Sequence, residues 1–236
     1  MNDEREYLDS SERSIGMIYL AREPHPDGGG GQLYNVWIDG QLLMSDVSPK
    51  SERQLATSGI AAHKGTGKLR ILVGGLGLGH TAHAALESPR AAEVLVVDAM
   101  DFVIDWIKQG LIPLSEALNS DERLVLALGD VYGQVLAPTS ETWDVILIDV
   151  DHSPEYPLDP ASLVFYTVEG QARVRKHLNP GGILAVWSAH NSEAFAAVMA
   201  EAYPESWRES VKWTVHYAEG PNQELDNTLF FGRNEG

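Results

Sequence analysis

The sequence predicts an α/β fold: a mostly parallel, doubly wound sheet with a C-terminal antiparallel pair, preceded by a small β appendage. Three observations lead there. The glycine run Gly74-Gly75-Leu76-Gly77-Leu78-Gly79 follows the apolar tripeptide Ile71-Leu72-Val73 and precedes an alanine-rich stretch, so a strand feeds a helix through glycines. Short apolar runs then alternate with helix-length segments as far as Trp187, the pattern of parallel βαβ units covered on both faces. Acidic residues stand just past several of those runs, at Asp98, Asp130 and Asp149.

Residues 15–20 and 34–38 read as short strands separated by the loop Pro24-His25-Pro26-Asp27-Gly28-Gly29-Gly30-Gly31. Asp39-Gly40, before Gln41-Leu42-Leu43-Met44, is a two-residue hairpin signal, because such turns need positive φ at both central positions. Residues 1–50 are therefore expected to form the β appendage and residues 51–236 the α/β domain that carries the glycine turn. Ser51-Glu52-Arg53-Gln54 has capping-box spacing and starts a helix to about Ala62, which Lys64-Gly65-Thr66-Gly67 ends. Strands follow at 70–73, 94–97, 124–128, 145–148 and 183–187. Between them lie helices from about Thr81, at 101–109, across the connection after Asp130, and at 167–178, where Asn179-Pro180-Gly181-Gly182 turns the chain. A helix at 195–202 precedes the closing pair 211–217 and 228–231, which are rich in β-branched and aromatic residues around Glu219-Gly220-Pro221-Asn222.

With 236 residues, 44% of them hydrophobic, the chain is long enough to bury a substantial core. Its formal charge of −17, from 34 acidic against 17 basic residues, disfavours nucleic acid and anionic membranes as partners and would welcome a cationic substrate, although charge alone is better read as serving solubility. The absence of cysteine excludes disulfides, thiolate metal sites and cysteine nucleophiles. Met1-Asn2-Asp3-Glu4-Arg5 lacks the apolar centre of a secretion signal, and no run approaches the roughly 18 apolar residues of a membrane span. A soluble cytoplasmic protein is the expectation. His80 and His83 lie one turn apart with no third ligand in view, so they read as a polar helix face and no metal is assigned.

Glycines at 75, 77 and 79 let the backbone approach a ligand, and the helix beyond them offers its positive end. The run Val94-Leu95-Val96-Val97 ends in Asp98, about twenty residues on, where an acidic group meets a ribose diol. Asp98, Asp130, Asp149 and Asp151 all fall at the same edge of a parallel sheet, where the ligand crevice lies. Each taken alone is equally well read as a helix cap or turn former. Tyr156, in the loop Pro154–Pro160, is placed to act as a lid contact.

This ordered set resembles the Rossmann-like class I S-adenosylmethionine-dependent methyltransferases, and within them the spermidine synthase family of aminopropyltransferases. The matching stretches run from the Asp39-Gly40 hairpin through Ser51-Glu52-Arg53-Gln54, the glycine turn, Val96-Val97-Asp98 and Gly129-Asp130 to Trp143–Asp149 and Leu178–Gly182. The resemblance implies that Gly75, Gly77 and Gly79 pack against the amino-acid part of a sulfonium donor. It implies that Asp98 binds the ribose hydroxyls, that Gly129 and Asp130 meet the adenine, and that Asp149 is the catalytic carboxylate. Asp151, His152, Tyr156 and Gln54 fall on the substrate side. The implied donor is S-adenosylmethionine or its decarboxylated form, the acceptor a small polyamine-type amine, and the assembly a homodimer.

The departures from the family pattern are specific. Gly77 stands where the family's glycine turn carries an Asp that pairs with the donor's amino group, and Glu52-Arg53 replaces Tyr-Gln. Gln171 aligns with an active-site Tyr, and His152 aligns with an acidic residue for which Asp151, one position earlier, is a substitute. Methyl transfer from intact S-adenosylmethionine is the alternative reaction. A non-catalytic nucleoside-binding paralogue is a further alternative; Asp149 paired with a basic side chain would favour it, and an open Asp149 beside a ligand-sized pocket would favour an enzyme.

Overall fold

A computed structural model of the chain describes residues 5–157 and 159–235. Four antiparallel strands come first: β1 (Glu6–Arg13), β2 (Gly16–Pro24), β3 (Gln32–Ile38) and β4 (Gln41–Ser45). The Asp39-Gly40 hairpin forms as read, with both residues at positive φ (48° and 78°) and Ile38 paired to Gln41. Strand β1 was not legible, because its sequence is mostly polar and shows no hydrophobic period. Its order comes from distant partners: it pairs along β2 from Glu6↔Arg22 to Arg13↔Gly16, and Asp9 Oδ2 accepts a hydrogen bond from Trp106 Nε1 at 2.6 Å.

Helix α1 (Lys50–Ala62) begins one residue before the expected start, and the expected capping box does not form. Pro49 holds the N-cap position without a side-chain bond, and the Ser51 hydroxyl donates to Glu52 Oε2 at 2.7 Å instead. The main layer then builds as β5 (Leu69–Gly74), α2 (His80–Glu87), β6 (Ala91–Asp98), α3 (Asp101–Gln109), α4 (Ser115–Ser120), β7 (Leu124–Leu128), α5 (Val131–Leu136) and β8 (Trp143–Ile148). It continues as α6 (Val168–Val174), β9 (Leu178–Ser188), α7 (Glu193–Ala202), β10 (Glu205–Val215) and β11 (Gln223–Arg233). The expected helix at 167–178 is thus shorter, passing through a 3₁₀ turn at Arg175–His177. Leu178 already pairs with Trp143 and Asn179 Nδ2 donates to Asp144 Oδ1 at 2.8 Å, so sheet partners claim the residues that the sequence placed at the helix end.

The seven strands lie in the order β10-β11-β9-β8-β5-β6-β7, parallel from β9 through β7 and antiparallel at β11 and β10. The chain winds outward from β5 to β7 and returns on the other side at β8, so the strand order reverses between β5 and β8. A crevice opens at the C-terminal ends of strands at such a switch point. Successive side chains of β5 and β8 feed opposite cores, as the two-residue strand period requires. Ile71, Val73 and Leu147 pack with Leu55 of α1 and with Ile18, Leu20 and Val36 of the small sheet. Leu72 and Ile146 pack with Phe165, Val174 and Phe195. Among the described residues no helix is long and apolar enough to cross a membrane.

Candidate active site

The glycine turn leaves β5 pressed against the start of the loop after β8. Asp149 N donates to Gly74 O at 2.8 Å, and Gly75 N donates to Val97 O at 3.0 Å. Gly75 has φ +90°, and a Cβ there would overlap the carbonyl oxygen of Asp149, so only glycine fits. Gly77 is different. Its φ is +49°, and a Cβ would meet only Met44 Sδ, at 3.7 Å, so the turn has room at the position where the family pattern carries Asp. Gly79 caps α2 and packs under Leu118, outside the cavity wall.

Asp98, at the end of β6, braces this turn. Its Oδ2 accepts from Leu76 N at 2.6 Å and its Oδ1 from Met100 N at 2.7 Å. Burial raises its pKa, while these backbone N–H groups pull it down. With the Gly77 N–H also directed at it, the carboxylate still keeps acceptor capacity for a ligand hydroxyl. Asp130 caps α5 by accepting from Tyr132 N at 2.9 Å, and Gly129 N donates to Asp98 O at 2.9 Å.

These groups converge on a cavity of about 940 Å³, large enough for a nucleoside with an attached chain. Gly75, Gly77, Asp98, Gly129, Asp130, Asp149, Asp151 and His152 all line it. The small sheet supplies part of the opposite wall through Ile15, Leu42 and Met44. Those apolar residues carry no motif, and only the packing of the two sheets brings them here.

Asp149 sits half-buried in the wall, and Thr81 Oγ1 donates to its Oδ2 at 2.6 Å. Burial first and the nearby Glu52 second push its pKa up to about 7, against the pull of the Thr81 hydroxyl. Glu52, from the first turn of α1, lines the same cavity, and burial raises its pKa as well. His80 completes this corner as a neutral imidazole, pushed down to about 4 by burial and then by the charges of Arg53 and His83; its Nε2 is buried without a partner. In the sequence His80 reads as a polar helix face and Glu52 as a departure from the family pattern, whereas both line this cavity. Thr81 was missed, although a hydroxyl residue in the first turn after a glycine run was the available signal.

Of the four expected substrate-side residues, Gln54 and Tyr156 stand outside the cavity lining, whereas Asp151 and His152 belong to it. Gln54 is two residues past Glu52 on α1, so it leaves on another face, and its Nε2 donates to Glu209 Oε2 on β10 at 3.0 Å, away from the cavity. Asp151 is buried, and its Oδ2 accepts from Tyr132 and Tyr166 hydroxyls, both at 2.8 Å, and from Ser162 Oγ at 3.4 Å. Burial raises the pKa of both phenols, which therefore stay donors, and Asp151 serves as a brace in the wall. His152 is exposed at the rim with its ring 6.1 Å from that of His190. Tyr156 is 67% exposed and lies outside the cavity lining. Gln171 is fully buried between Phe165 O and the Tyr203 hydroxyl, as a packing residue. Among the described residues no group of three or more His, Asp or Glu side chains is placed to hold a metal ion.

No family model matches the chain. Putrescine N-methyltransferase 2 of Nicotiana tabacum is 31% identical over 115 residues, covering 49% of this chain and 31% of that protein. Polyamine aminopropyltransferase 2 of Streptomyces coelicolor is 29% identical over 158 residues, covering 66% of this chain and 27% of that protein. The matched stretches thus span less than a third of the length of these relatives. The solved spermidine synthase of Thermotoga maritima superposes with a TM-score of 0.72 at 16% identity, covering 98% of this chain and 73% of that one. A spermidine synthase in complex with the transition-state analogue AdoDATO gives 0.71 at 16% identity, over 98% and 74%. The chain has the spermidine synthase fold, and the proteins similar to it are transferases, as the resemblance in its motifs implied.

Proposed function

We propose that this chain is a transferase that moves an aminopropyl group from decarboxylated S-adenosylmethionine to a polyamine-type amine. The observation that carries this reading is Asp149: a carboxylate in the wall of a nucleoside-sized cavity, held by the Thr81 hydroxyl and paired with no basic side chain among the described residues, where burial and Glu52 push its pKa up. Such a group suits the work, because amines arrive as cations and must lose a proton before they attack. The similarity to a polyamine aminopropyltransferase supports the same acceptor class.

Asp98 receives the ribose hydroxyls, Gly129 and Asp130 face the adenine, and the glycine turn carries the chain that bears the sulfonium. Asp149 then holds the acceptor nitrogen in line with the carbon beside sulfur and takes its proton. Alignment and exclusion of water account for most of the rate in such a displacement. The reading includes a small-molecule acceptor, no nucleic-acid partner, a cytoplasmic setting and a homodimer, the last resting on the resemblance and open to light scattering.

Methyl transfer from intact S-adenosylmethionine is the second reading. Gly77 favours it, because without a carboxylate at that position the turn does not repel the donor's own carboxylate. The 31% identity to a putrescine N-methyltransferase points the same way. Titration calorimetry with both donors separates the two readings. Tighter binding of the decarboxylated form is expected; tighter binding of the intact form would replace aminopropyl transfer with methyl transfer.

A further inference from the structure

Glu52, in the cavity corner beside Asp149, is a charged group that the reaction above does not use. It lines the same wall as Asp149, and the Thr81 hydroxyl stands between them, 2.6 Å from Asp149 Oδ2 and 3.3 Å from the Glu52 backbone oxygen. The charges around the pair do not neutralise it. On α1, Arg53 turns to Glu87 at 2.6 Å; on α2, His80 is neutral; in the loop after β8, Asp151 is held by Tyr132 and Tyr166. The Glu52 carboxylate accepts a hydrogen bond from the Ser51 hydroxyl, at 2.7 Å. Two carboxylates in a half-buried wall without a counter-charge hold either a proton or a cation.

We propose that Glu52 and Asp149 together form the seat for the acceptor's attacking ammonium, with Glu52 supplying the second negative charge. This rests on the transferase reading. At rest the pair shares one proton. The entering ammonium displaces that proton to water and passes one N–H proton of its own to the pair. The freed nitrogen lone pair forms the N–C bond while the C–S bonding pair returns to sulfur, leaving a neutral thioether. The alkylated product leaves as an ammonium ion, and the pair keeps one proton for the next cycle. The seat selects a protonated primary amine over a neutral or anionic nucleophile, and it serves a methyl or an aminopropyl donor equally.

The test is calorimetry of putrescine binding to the protein saturated with methylthioadenosine, near neutral pH, in two buffers of different ionisation enthalpy. Wild type is expected to release protons on binding. Glu52→Gln should release few and bind putrescine about tenfold or more weakly, with methylthioadenosine affinity unchanged and partial recovery in Glu52→Asp. In turnover, Glu52→Gln should also move the acid limb of kcat/KM down by about one pH unit or more, a shift that a packing role would not produce. Wild-type putrescine affinity and proton release in Glu52→Gln would overturn the seat, as would a wild type that binds the nucleoside but no amine. Failure of the nucleoside to bind wild type would overturn the transferase reading itself, and the seat with it.

Discussion

Replacing Thr81 with valine tests whether the protonation state of Asp149 sets the rate. Thr81 is buried, and its hydroxyl donates to Asp149 Oδ2 at 2.6 Å. This bond is what pulls the Asp149 pKa down while burial and Glu52 hold it up at about 7. A hydrogen bond to a charged group contributes about 1.5–3 kcal/mol, and each pKa unit corresponds to about 1.4 kcal/mol. Losing the bond should therefore raise the titration by about one to two units. At pH 7 the ionised fraction then falls from about one half to about one tenth or below, so kcat/KM for the amine drops about fivefold or more. Valine keeps the shape of threonine, and at high pH the rate should return toward wild type. The assay is the pH profile of kcat/KM, read from release of the nucleoside thioether, with Thr81→Ser as the control that retains the hydroxyl. An acid limb that stays near 7 while the rate falls uniformly would refute the reasoning.

Other outcomes follow from the same geometry. Asp98→Ala should weaken nucleoside binding by about 2–3 kcal/mol, roughly 30- to 150-fold, with Asp98→Asn intermediate; unchanged affinity by calorimetry would remove the ribose assignment. Gly77→Asp should fold, because Asp tolerates the left-handed region and the nearest atom to a Cβ is 3.7 Å away. It should shift the affinity ratio toward the decarboxylated donor by about tenfold, and an unaltered ratio would show that position 77 does not read the donor's charge. Asp149→Asn should abolish turnover and spare donor binding. The folded Asp149 keeps its proton from the ordinary 3.8 up to about 7, so its contribution to stability is full below that window and lost as pH rises through it. Asp149→Asn should thus be more stable to unfolding than wild type at pH 8, by up to about 4 kcal/mol, with the gap closing toward pH 4; a gap independent of pH would contradict the shift.

The sheet was legible because β5, β6 and β8 are buried apolar runs bounded by glycine or aspartate. The strand ends then fixed where Asp98, Asp130 and Asp149 arrive, since parallel strands deliver their C-termini to one edge. What stayed hidden depends on contacts between distant segments. Strand β1 is polar and ordered by its neighbours, and the end of α6 is decided by the pairing of Leu178 with Trp143. Gln54 sits in a motif but leaves α1 toward Glu209. Asp151 follows a strand like its neighbours, yet hydroxyls from α5 and from the segment before α6 draw its carboxylate into the wall. Glu52 and Asp149 lie far apart in sequence, and only the seating of α1 beside the glycine turn puts them on one cavity.

The most direct test of the central claim is to identify the products formed when the purified protein is incubated with a polyamine-type diamine and each sulfonium donor in turn. The account predicts methylthioadenosine and the aminopropylated amine in equal amounts, from the decarboxylated donor and only when the amine is present. S-adenosylhomocysteine and a methylated amine from the intact donor, or no nucleoside thioether from either, would contradict it.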